Sequence, residues 1–242
     1  MRQFTALLHR DLRGIYRDGF LLMMVGYSLA LAAVARVVIR WIPVSHIELY
    51  VAPFIIVMAC GLMGLVFGFA LIEERETGTS LLMRVIPVSR TALASYWTVV
   101  VGGSCLVICL LSALVYGVRP ANMGAFLLFT AVTALGAPTV MLLLGALASN
   151  KIEGLAVSKI ISGSSLMLVA VFVLPARWHL LLFWYPWYWI YRGLLEAYAG
   201  PDIAARLVVD WPALPGWIQP VVPLLGSVLG IIVLVRRYRQ VT

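Results

Sequence analysis

The sequence predicts an all-α membrane protein with six transmembrane helices, and three observations support this fold class. First, 63% of the 242 residues are hydrophobic and only 12% are charged, whereas soluble domains average about 45–50% and about 25%. Second, the mean hydropathy is +1.01. Third, apolar runs of about 20 residues, long enough to cross the hydrocarbon core as helices, recur along the chain. A chain of this length accommodates about six such spans with their connections.

The predicted spans are separated by charged residues, glycines and prolines. Residues 1–19 precede the first span and place apolar side chains opposite arginines at helical spacing. This pattern is typical of a helix that lies in the headgroup plane of the cytoplasmic leaflet. The whole chain, 1–242, is interpreted as one transmembrane domain with spans at about 20–39, 50–72, 92–118, 122–147, 155–174 and 217–235.

Two pairs of glycines at GxxxG spacing lie within spans. Gly64 and Gly68 are in the second span, and Gly226 and Gly230 are in the sixth. Small residues at this spacing let helix backbones approach closely. We interpret them as packing sites within one bundle, with a contact between subunits as the alternative. In the fourth span, Pro138 predicts a kink near the middle.

The charges predict the orientation of the chain. Of the 18 lysines and arginines, twelve lie in segments on one side of the predicted spans and six on the other. The positive-inside rule therefore places both termini in the cytoplasm, in a multi-pass protein of the cytoplasmic membrane. Because the charges flank spans, the net charge of +8 does not require a nucleic-acid partner. The three cysteines fall within spans and form no CxxC pair, so no metal site is predicted.

Residues 73–91 connect the second and third spans and form the most highly charged segment. A charge at the centre of a spanning helix costs about 2.5–3.5 kcal/mol, so this cluster marks the membrane exit at Ile72. The amphipathic piece that follows needs a surface against which to bury its apolar stripe. The residues that we expect to contact such a partner are Glu73, Glu74, Arg75, Glu76, Gly78, Thr79, Leu81, Leu82, Arg84, Pro87 and Arg90.

The order Glu-Arg-Glu-x-Gly-Thr, Leu-Leu and Pro-Val-Ser-Arg in this segment closely resembles the first cytoplasmic loop of type-2 ABC transporter permeases. In that family the loop forms a coupling helix that fits a groove on a separate ATPase subunit. The resemblance extends over the chain in span order and loop placement. It implies an ATPase dimer and a second permease, identical or paralogous, as partners. It also implies that ATP and Mg bind to the ATPase and that this chain binds no cofactor.

The loop between the fourth and fifth spans carries a second group of candidate residues, namely Asn150, Lys151, Glu153 and Lys159. Its pattern Asn-Lys-x-Glu-Gly-x-Ala-x-Ser-Lys resembles the matching loop of fluoroquinolone-export permeases. We expect Lys159 to reach back to the membrane interface, with a contact to the ATPase or to substrate as the alternative. We also expect the charges at 73–76 to contact either residues 1–19 or this loop.

The segment 176–216 is rich in tryptophan and tyrosine, which favour the membrane interface. One interpretation is an aromatic belt. The resemblance to type-2 permeases implies a re-entrant helical hairpin that closes the outer end of the pathway, and the two interpretations are compatible. The candidate residues of this outer gate are Trp184, Tyr185, Pro186, Trp187 and Arg192.

Other function classes lack the residues that they need. The sequence has no G-x-x-x-x-G-K-[ST], the loop that cradles phosphates in ATPases. Glu73-Glu74 matches the start of the Glu-Glu-x-x-x-Arg motif of CAAX-processing-type membrane proteases, but Gly78 occupies the arginine position. An intramembrane hydrolase is therefore the weaker alternative. The predicted spans contain no central acidic residue, which a proton-coupled carrier or a cation channel would require.

The expected substrate is a small hydrophobic or amphipathic compound. The resemblance implies export of a drug or natural product across the cytoplasmic membrane by alternating access, and peptide or lipid export stays open. Membrane lipids surround the spans. The side chains that could line a pathway, which could equally be packing residues, are Phe54, Met58, Met63, Phe67, Met167 and Phe172.

Overall fold

A computed structural model of the chain describes residues 19–44, 46–78, 90–169, 182, 185–200 and 218–241. These residues contain helices and no β-strand, which confirms the all-α prediction. The interfacial segment 1–18, residues 79–89 and most of the aromatic segment lie outside this range, as do Phe172 and Trp184. The described helices are α1 (Gly19–Ile39), α2 (Ile47–Glu76), α3 (Arg90–Tyr116), α4 (Met123–Ala134), α5 (Gly136–Leu147), α6 (Lys151–Ser165), followed by a 3-10 turn at Leu166–Val169, α7 (Pro186–Ala199) and α8 (Ile218–Val241).

Three helical stretches among the described residues are long and apolar enough to cross a membrane. They are Ile47–Glu76, Tyr96–Tyr116 and Met123–Leu147. Two shorter apolar stretches, Gly26–Ile39 and Pro220–Val235, accompany them. These five stretches correspond to the first four predicted spans and the sixth, and the described part of the chain is that of an all-helical membrane protein, while the full count of six remains a prediction.

The fourth predicted span is interrupted at Leu135, between α4 and α5. Pro138 is the third residue of α5, where a missing N–H removes no intrahelical hydrogen bond. The thiol of Cys60 on α2 donates to the carbonyl oxygen of Thr133 at this break, over 3.0 Å. A neighbouring helix thus contributes a hydrogen bond where the span is discontinuous, as broken helices in membranes require.

Helix α2 is the centre of the bundle and packs against α1, α3, α5 and α7. A Cβ on Gly64 would lie 2.6 Å from the Cβ of Val140, and one on Gly68 would lie 2.8 Å from a methyl carbon of Leu144. Both glycines therefore permit close contact between α2 and α5. On α8, Gly226 and Gly230 face Pro186 and Thr139, so both GxxxG pairs contact helices of the same chain.

Helix α7 begins with Pro186 at its N-terminus, a position that suits the fixed φ of proline. The indole of Trp187 packs against Gly136 at the interruption between α4 and α5. At the other end of α7, the carbonyl of Ala197 accepts a hydrogen bond of 2.9 Å from the amide of Asn122, just before α4. Helix α7 therefore runs along about half of the fourth span, a length of about 21 Å.

Candidate functional site

The charged cluster lies where α2 ends, at one end of the bundle that we call the Glu73 end (residues 73–78 and 148–153). Helix α2 continues one turn beyond Ile72 and stops at Glu76. The hydroxyl of Thr77 donates to the carbonyl of Glu73 over 2.9 Å. Gly78 follows with a φ of 72°, the left-handed conformation that commonly terminates helices and that glycine adopts without strain. The chain thus leaves α2 in a defined direction.

Arg75 connects this end of α2 to the C-terminal end of α5. Its Nη2 donates to the carbonyl oxygen of Gly145 over 2.9 Å, and its Nη1 donates to that of Ala148 over 3.2 Å. The last carbonyls of a helix lack intrahelical partners and carry the negative end of its dipole. The half-buried guanidinium of Arg75 supplies hydrogen-bond donors and a positive charge to these carbonyls. It thereby holds the ends of α2 and α5 together.

Two carboxylates of α2 contact Lys151, the first residue of α6. The Oε1 atom of Glu76 accepts a hydrogen bond of 2.8 Å from the Lys151 amide. The Lys151 ammonium lies 3.5 Å from Oε1 of Glu73. The first amides of a helix need acceptors, so Glu76 acts as a cap supplied by another helix. The Glu73 pair is exposed and contributes less. The structure therefore contains the expected contact with the 148–151 loop, whereas the expected contact with residues 1–19 falls outside the described residues.

The loop itself is fixed by a reciprocal capping arrangement. The side-chain oxygen of Asn150 accepts from the amide of Glu153 over 2.9 Å, while Oε2 of Glu153 accepts from the amide of Ser149 over 2.8 Å. This is the logic of a capping box, in which two orphan amides receive partners. Helix α6 consequently begins at Lys151, four residues before the predicted start of the fifth span.

An apolar contact lies directly beneath the charges. Gly154 is buried, and a Cβ there would lie 2.9 Å from side-chain atoms of Ile72 and of Phe69. Ile72 forms a small buried cluster with Leu144 and Ala148. Glycine therefore permits the close crossing of α6 and α2, since a larger residue would displace these side chains. The sequence analysis did not single out Gly154, although a glycine directly after Glu153 was a signal that could have drawn attention to it.

Of the remaining candidate residues at the Glu73 end, the structure describes some and not others. Lys159 is exposed on α6, and the side chain of Arg90 and residues 79–89 lie outside the part that the structure describes. The contacts of Thr79, Leu81, Leu82, Arg84 and Pro87 therefore remain predictions.

The predicted pathway residues do not share one surface. Met63 and Phe67 are 3% and 4% exposed and belong to the core of the bundle. Phe54 and Met58 are half-buried, and Met167 is 43% exposed. Met63 and Phe67 can reach a substrate only if the helices around them separate. The pathway assignment of these residues stays a prediction.

The predicted gate residues that the structure describes lie in and before α7. Trp187 packs on Gly136, as described above, and the hydroxyl of Tyr185 lies 3.1 Å from that of Ser164. Arg192 forms an ion pair of 3.1 Å with Glu196, one turn later on the same helix.

The sequence analysis missed a further contact of α7. The buried Tyr191 donates to the carbonyl of Tyr50 near the start of α2, over 2.8 Å. This bond joins α7 to the end of α2 opposite the Glu73 end. No local pattern could have revealed it, because it links residues far apart in sequence.

Within the described residues, no group of three histidine, cysteine, aspartate or glutamate side chains is arranged to hold a metal ion. The cysteines contact neighbouring helices. Cys109 donates to the carbonyl of Ile56, and its sulfur lies 3.8 Å from that of Cys105. In this part of the chain they are small core residues that add hydrogen bonds between spans.

The family model and the relatives that match this chain are all fluoroquinolones export permease proteins. The family model described as fluoroquinolones export permease protein Rv2686c-like matches residues 11–213. Two curated relatives from Mycobacterium tuberculosis are each 27% identical over 209 residues, which cover 76% of this chain and 82% of theirs. They are the fluoroquinolones export permease proteins MT2760, of strain CDC 1551 / Oshkosh, and Rv2686c, of strain ATCC 25618 / H37Rv.

Proposed function

Since the chain belongs to the Rv2686c-like fluoroquinolones export permease family, we propose that it is the membrane subunit of an ATP-driven ABC exporter. Membership of a permease family implies a transport subunit rather than an enzyme. The proposed substrate is a hydrophobic or amphipathic drug or natural product, with fluoroquinolones as the first candidates because the curated relatives are named for them. Transport is outward across the cytoplasmic membrane.

The observation that carries the proposal is the set of contacts at the Glu73 end. Segment 79–89 follows Gly78 in the sequence, and the apolar stripe that its sequence predicts would need a partner. The turn before it is joined to α5 through Arg75 and to α6 through Glu76. A partner that binds segment 79–89 therefore acts on three helices at once. In this proposal the segment is the coupling helix, and the partner is the ATPase dimer that binds ATP and Mg.

The proposed mechanism is alternating access. ATP closes the ATPase dimer, and the coupling helix transmits that movement to α2 and, through Arg75 and Glu76, to α5 and α6. Two permease subunits, identical or paralogous, then rock about their shared interface and open a central cavity to the outer side. The protein needs only a two-state packing arrangement for this step, since the chemistry occurs on the partner chain.

The proposed topology has six spans, an interfacial helix at 1–19 and both termini in the cytoplasm. The Glu73 end is then cytoplasmic. We propose that α7 is one arm of a re-entrant hairpin between the fifth and sixth spans. Its length of about 21 Å is too short to cross a hydrocarbon core of about 30 Å. Its contacts with Gly136 in mid-span and Asn122 at the outer turn support this position.

Co-purification with an ATPase tests the proposal. The chain is purified from its native membrane, the proteins that co-purify are searched for an ABC ATPase by mass spectrometry, and the doubly substituted Leu82→Asp, Arg84→Glu protein is compared with the unmodified one. We expect the double variant to lose the ATPase while keeping its yield in the membrane. Arg119→Glu, at the opposite end of the bundle, is the matched charge reversal and should retain the ATPase. Retention by the double variant would remove the coupling proposal.

A further inference from the structure

A second cluster of charges lies at the opposite end of α2 from Glu73. Helix α2 has 30 residues and is therefore about 45 Å long, so its ends lie on opposite sides of a hydrocarbon core of about 30 Å. At the end near Glu48, α1, α2 and α3 enclose an open cavity of about 180 Å³. It is lined by Arg36, Ile39, Arg40, Glu48, Tyr116, Gly117 and Val118. Neither transport nor coupling accounts for these charges.

Arg36 of this cavity is positioned by backbone contacts. Arg36 Nη1 donates to the carbonyl of Val115 over 3.2 Å, and its guanidinium lies against Gly117, where a Cβ would collide with it. The φ of Gly117 is 77°, which favours glycine for a second reason. Arg40, directly after the end of α1, lines the same space. Two adjacent guanidinium groups suit a phosphate, which accepts several charge-assisted hydrogen bonds.

Glu48 adds the opposite charge without neutralising the arginines. Within the described residues, neither Arg36 nor Arg40 lies within ion-pair distance of Glu48. The backbone carbonyl of Glu48 accepts a hydrogen bond of 3.0 Å from the Tyr116 hydroxyl, which fixes this turn of α2 against α3. The cavity thus presents two arginines, of which Arg36 is held by a backbone carbonyl, and one separate negative group. A ligand with an anion and an ammonium a short distance apart would complement both.

The surroundings of the cavity are those of a lipid site. Towards the membrane centre, Val34 precedes Arg36 on α1 and is 57% exposed, and Leu114 precedes Tyr116 on α3 and is 75% exposed. On the other side of the cavity, Trp41 is 83% exposed, and exposed tryptophan favours the membrane interface. Exposed apolar side chains beside paired guanidinium groups fit acyl chains below a phosphate headgroup.

We propose that this cavity binds the headgroup of a phosphatidylethanolamine, with its phosphate between Arg36 and Arg40 and its ammonium at Glu48. The alternative is that the arginines only extend to the interface and contact any phospholipid equally. The proposal concerns lipid recognition and does not depend on the transported substrate or on the ATPase.

Lipid titration of the purified full-length chain tests the proposal. Native mass spectrometry measures the binding of dioctanoyl phosphatidylethanolamine, phosphatidylglycerol and phosphatidylcholine in one detergent. We expect phosphatidylethanolamine to bind at least about threefold more tightly than phosphatidylglycerol, which has no ammonium. Phosphatidylcholine should also bind less tightly, because its quaternary ammonium cannot donate a hydrogen bond. Glu48→Gln should abolish this preference, and Arg36→Gln with Arg40→Gln should weaken binding of all three lipids about tenfold.

Two controls make the result decisive. Arg119→Gln removes an exposed positive charge at the same end of the bundle, outside the cavity, and should leave every affinity unchanged. Because Glu48→Gln is an exposed and nearly isosteric change, it tests the site even where the double arginine variant does not fold. Equal affinities for the three lipids, or an unchanged preference in Glu48→Gln, would overturn the proposal. Complete competition by equimolar soluble phosphoethanolamine would overturn the assignment to a lipid.

Discussion

The Nη2 atom of Arg75 lies 2.9 Å from the carbonyl oxygen of Gly145, and this bond joins the end of α2 to the end of α5. A second bond from the same guanidinium reaches Ala148. The planar fork of arginine can address two neighbouring carbonyls at once, which a lysine ammonium does less well. The junction between the two spans therefore depends on the shape of this side chain as well as on its charge.

Replacement of Arg75 should loosen this junction. We expect Arg75→Ala to destabilise the protein by about 2 kcal/mol, because two carbonyls lose a charged donor. Under the proposed function, Arg75→Ala should also lower export of a fluoroquinolone from cells. Thermal unfolding in detergent and drug accumulation measure the two effects. Arg75→Lys should recover only part of the stability, and full recovery would show that charge alone is sufficient.

The two acidic residues that contact Lys151 should differ in importance. Glu76→Ala removes an acceptor from the first amide of α6 and should cost about 1 kcal/mol, as loss of a helix cap does. Glu76→Gln keeps an oxygen at that position and should cost less. Glu73→Ala breaks only an exposed ion pair and should have an effect below about 0.5 kcal/mol. Unfolding midpoints of the three variants provide the ranking, and a larger effect at Glu73 would contradict it.

Close packing between α2 and α5 predicts strong sensitivity at Gly64. A Cβ there would lie 2.8 Å from the carbonyl oxygen of Ala137, and a backbone atom cannot move aside as a flexible side chain can. Gly64→Ala should therefore destabilise the protein by about 1–3 kcal/mol. Gly61 lies one turn earlier on α2 and has no neighbour within 4 Å of its Cβ position. Gly61→Ala is the matched control, and equal unfolding midpoints for the two variants would refute the packing argument.

The hydrogen bond from Tyr191 to the carbonyl of Tyr50 should help to hold α7 against α2. Tyr191 is fully buried, so Tyr191→Phe leaves that carbonyl without this donor and should cost about 1 kcal/mol. We expect faster amide hydrogen exchange in α7, measured by mass spectrometry. Tyr27 is 54% exposed on α1, and Tyr27→Phe should leave exchange in α7 unchanged. Unaltered exchange in the Tyr191 variant would show that packing alone holds the helix.

Hydropathy predicted the described spans because the bilayer imposes both length and composition on them. The start of α1 differs from prediction by one residue, and the interruption of the fourth span falls beside the predicted glycine and proline. Larger differences occur where polar contacts extend a helix into water. Helix α2 continues to Glu76 because Arg75 and Glu76 have partners on the 148–151 loop, and no single-segment pattern contains that information.

The candidate site was predictable in part. The density of charged residues identified the segment that begins at Glu73, because placing these side chains in the hydrocarbon core costs too much free energy. The identity of their partners was not predictable, because Gly145 and Ala148 contribute backbone carbonyls, which any residue would offer. Burial of Met63 and Phe67 was equally hidden from the sequence. In the sequence of a membrane span, apolar residues that face lipid, a pathway or the core cannot be told apart.

Because α2 is long and uninterrupted, a tilt at one of its ends moves the other end. A tilt of about 10° applied at Glu73 displaces the opposite tip of a 45 Å helix by about 8 Å. That tip carries Glu48, which lines the same cavity as Arg36 and Arg40. In the proposed mechanism, a small angular movement at the Glu73 end of α2 would thus become a larger displacement at the Glu48 end, beside the proposed headgroup site.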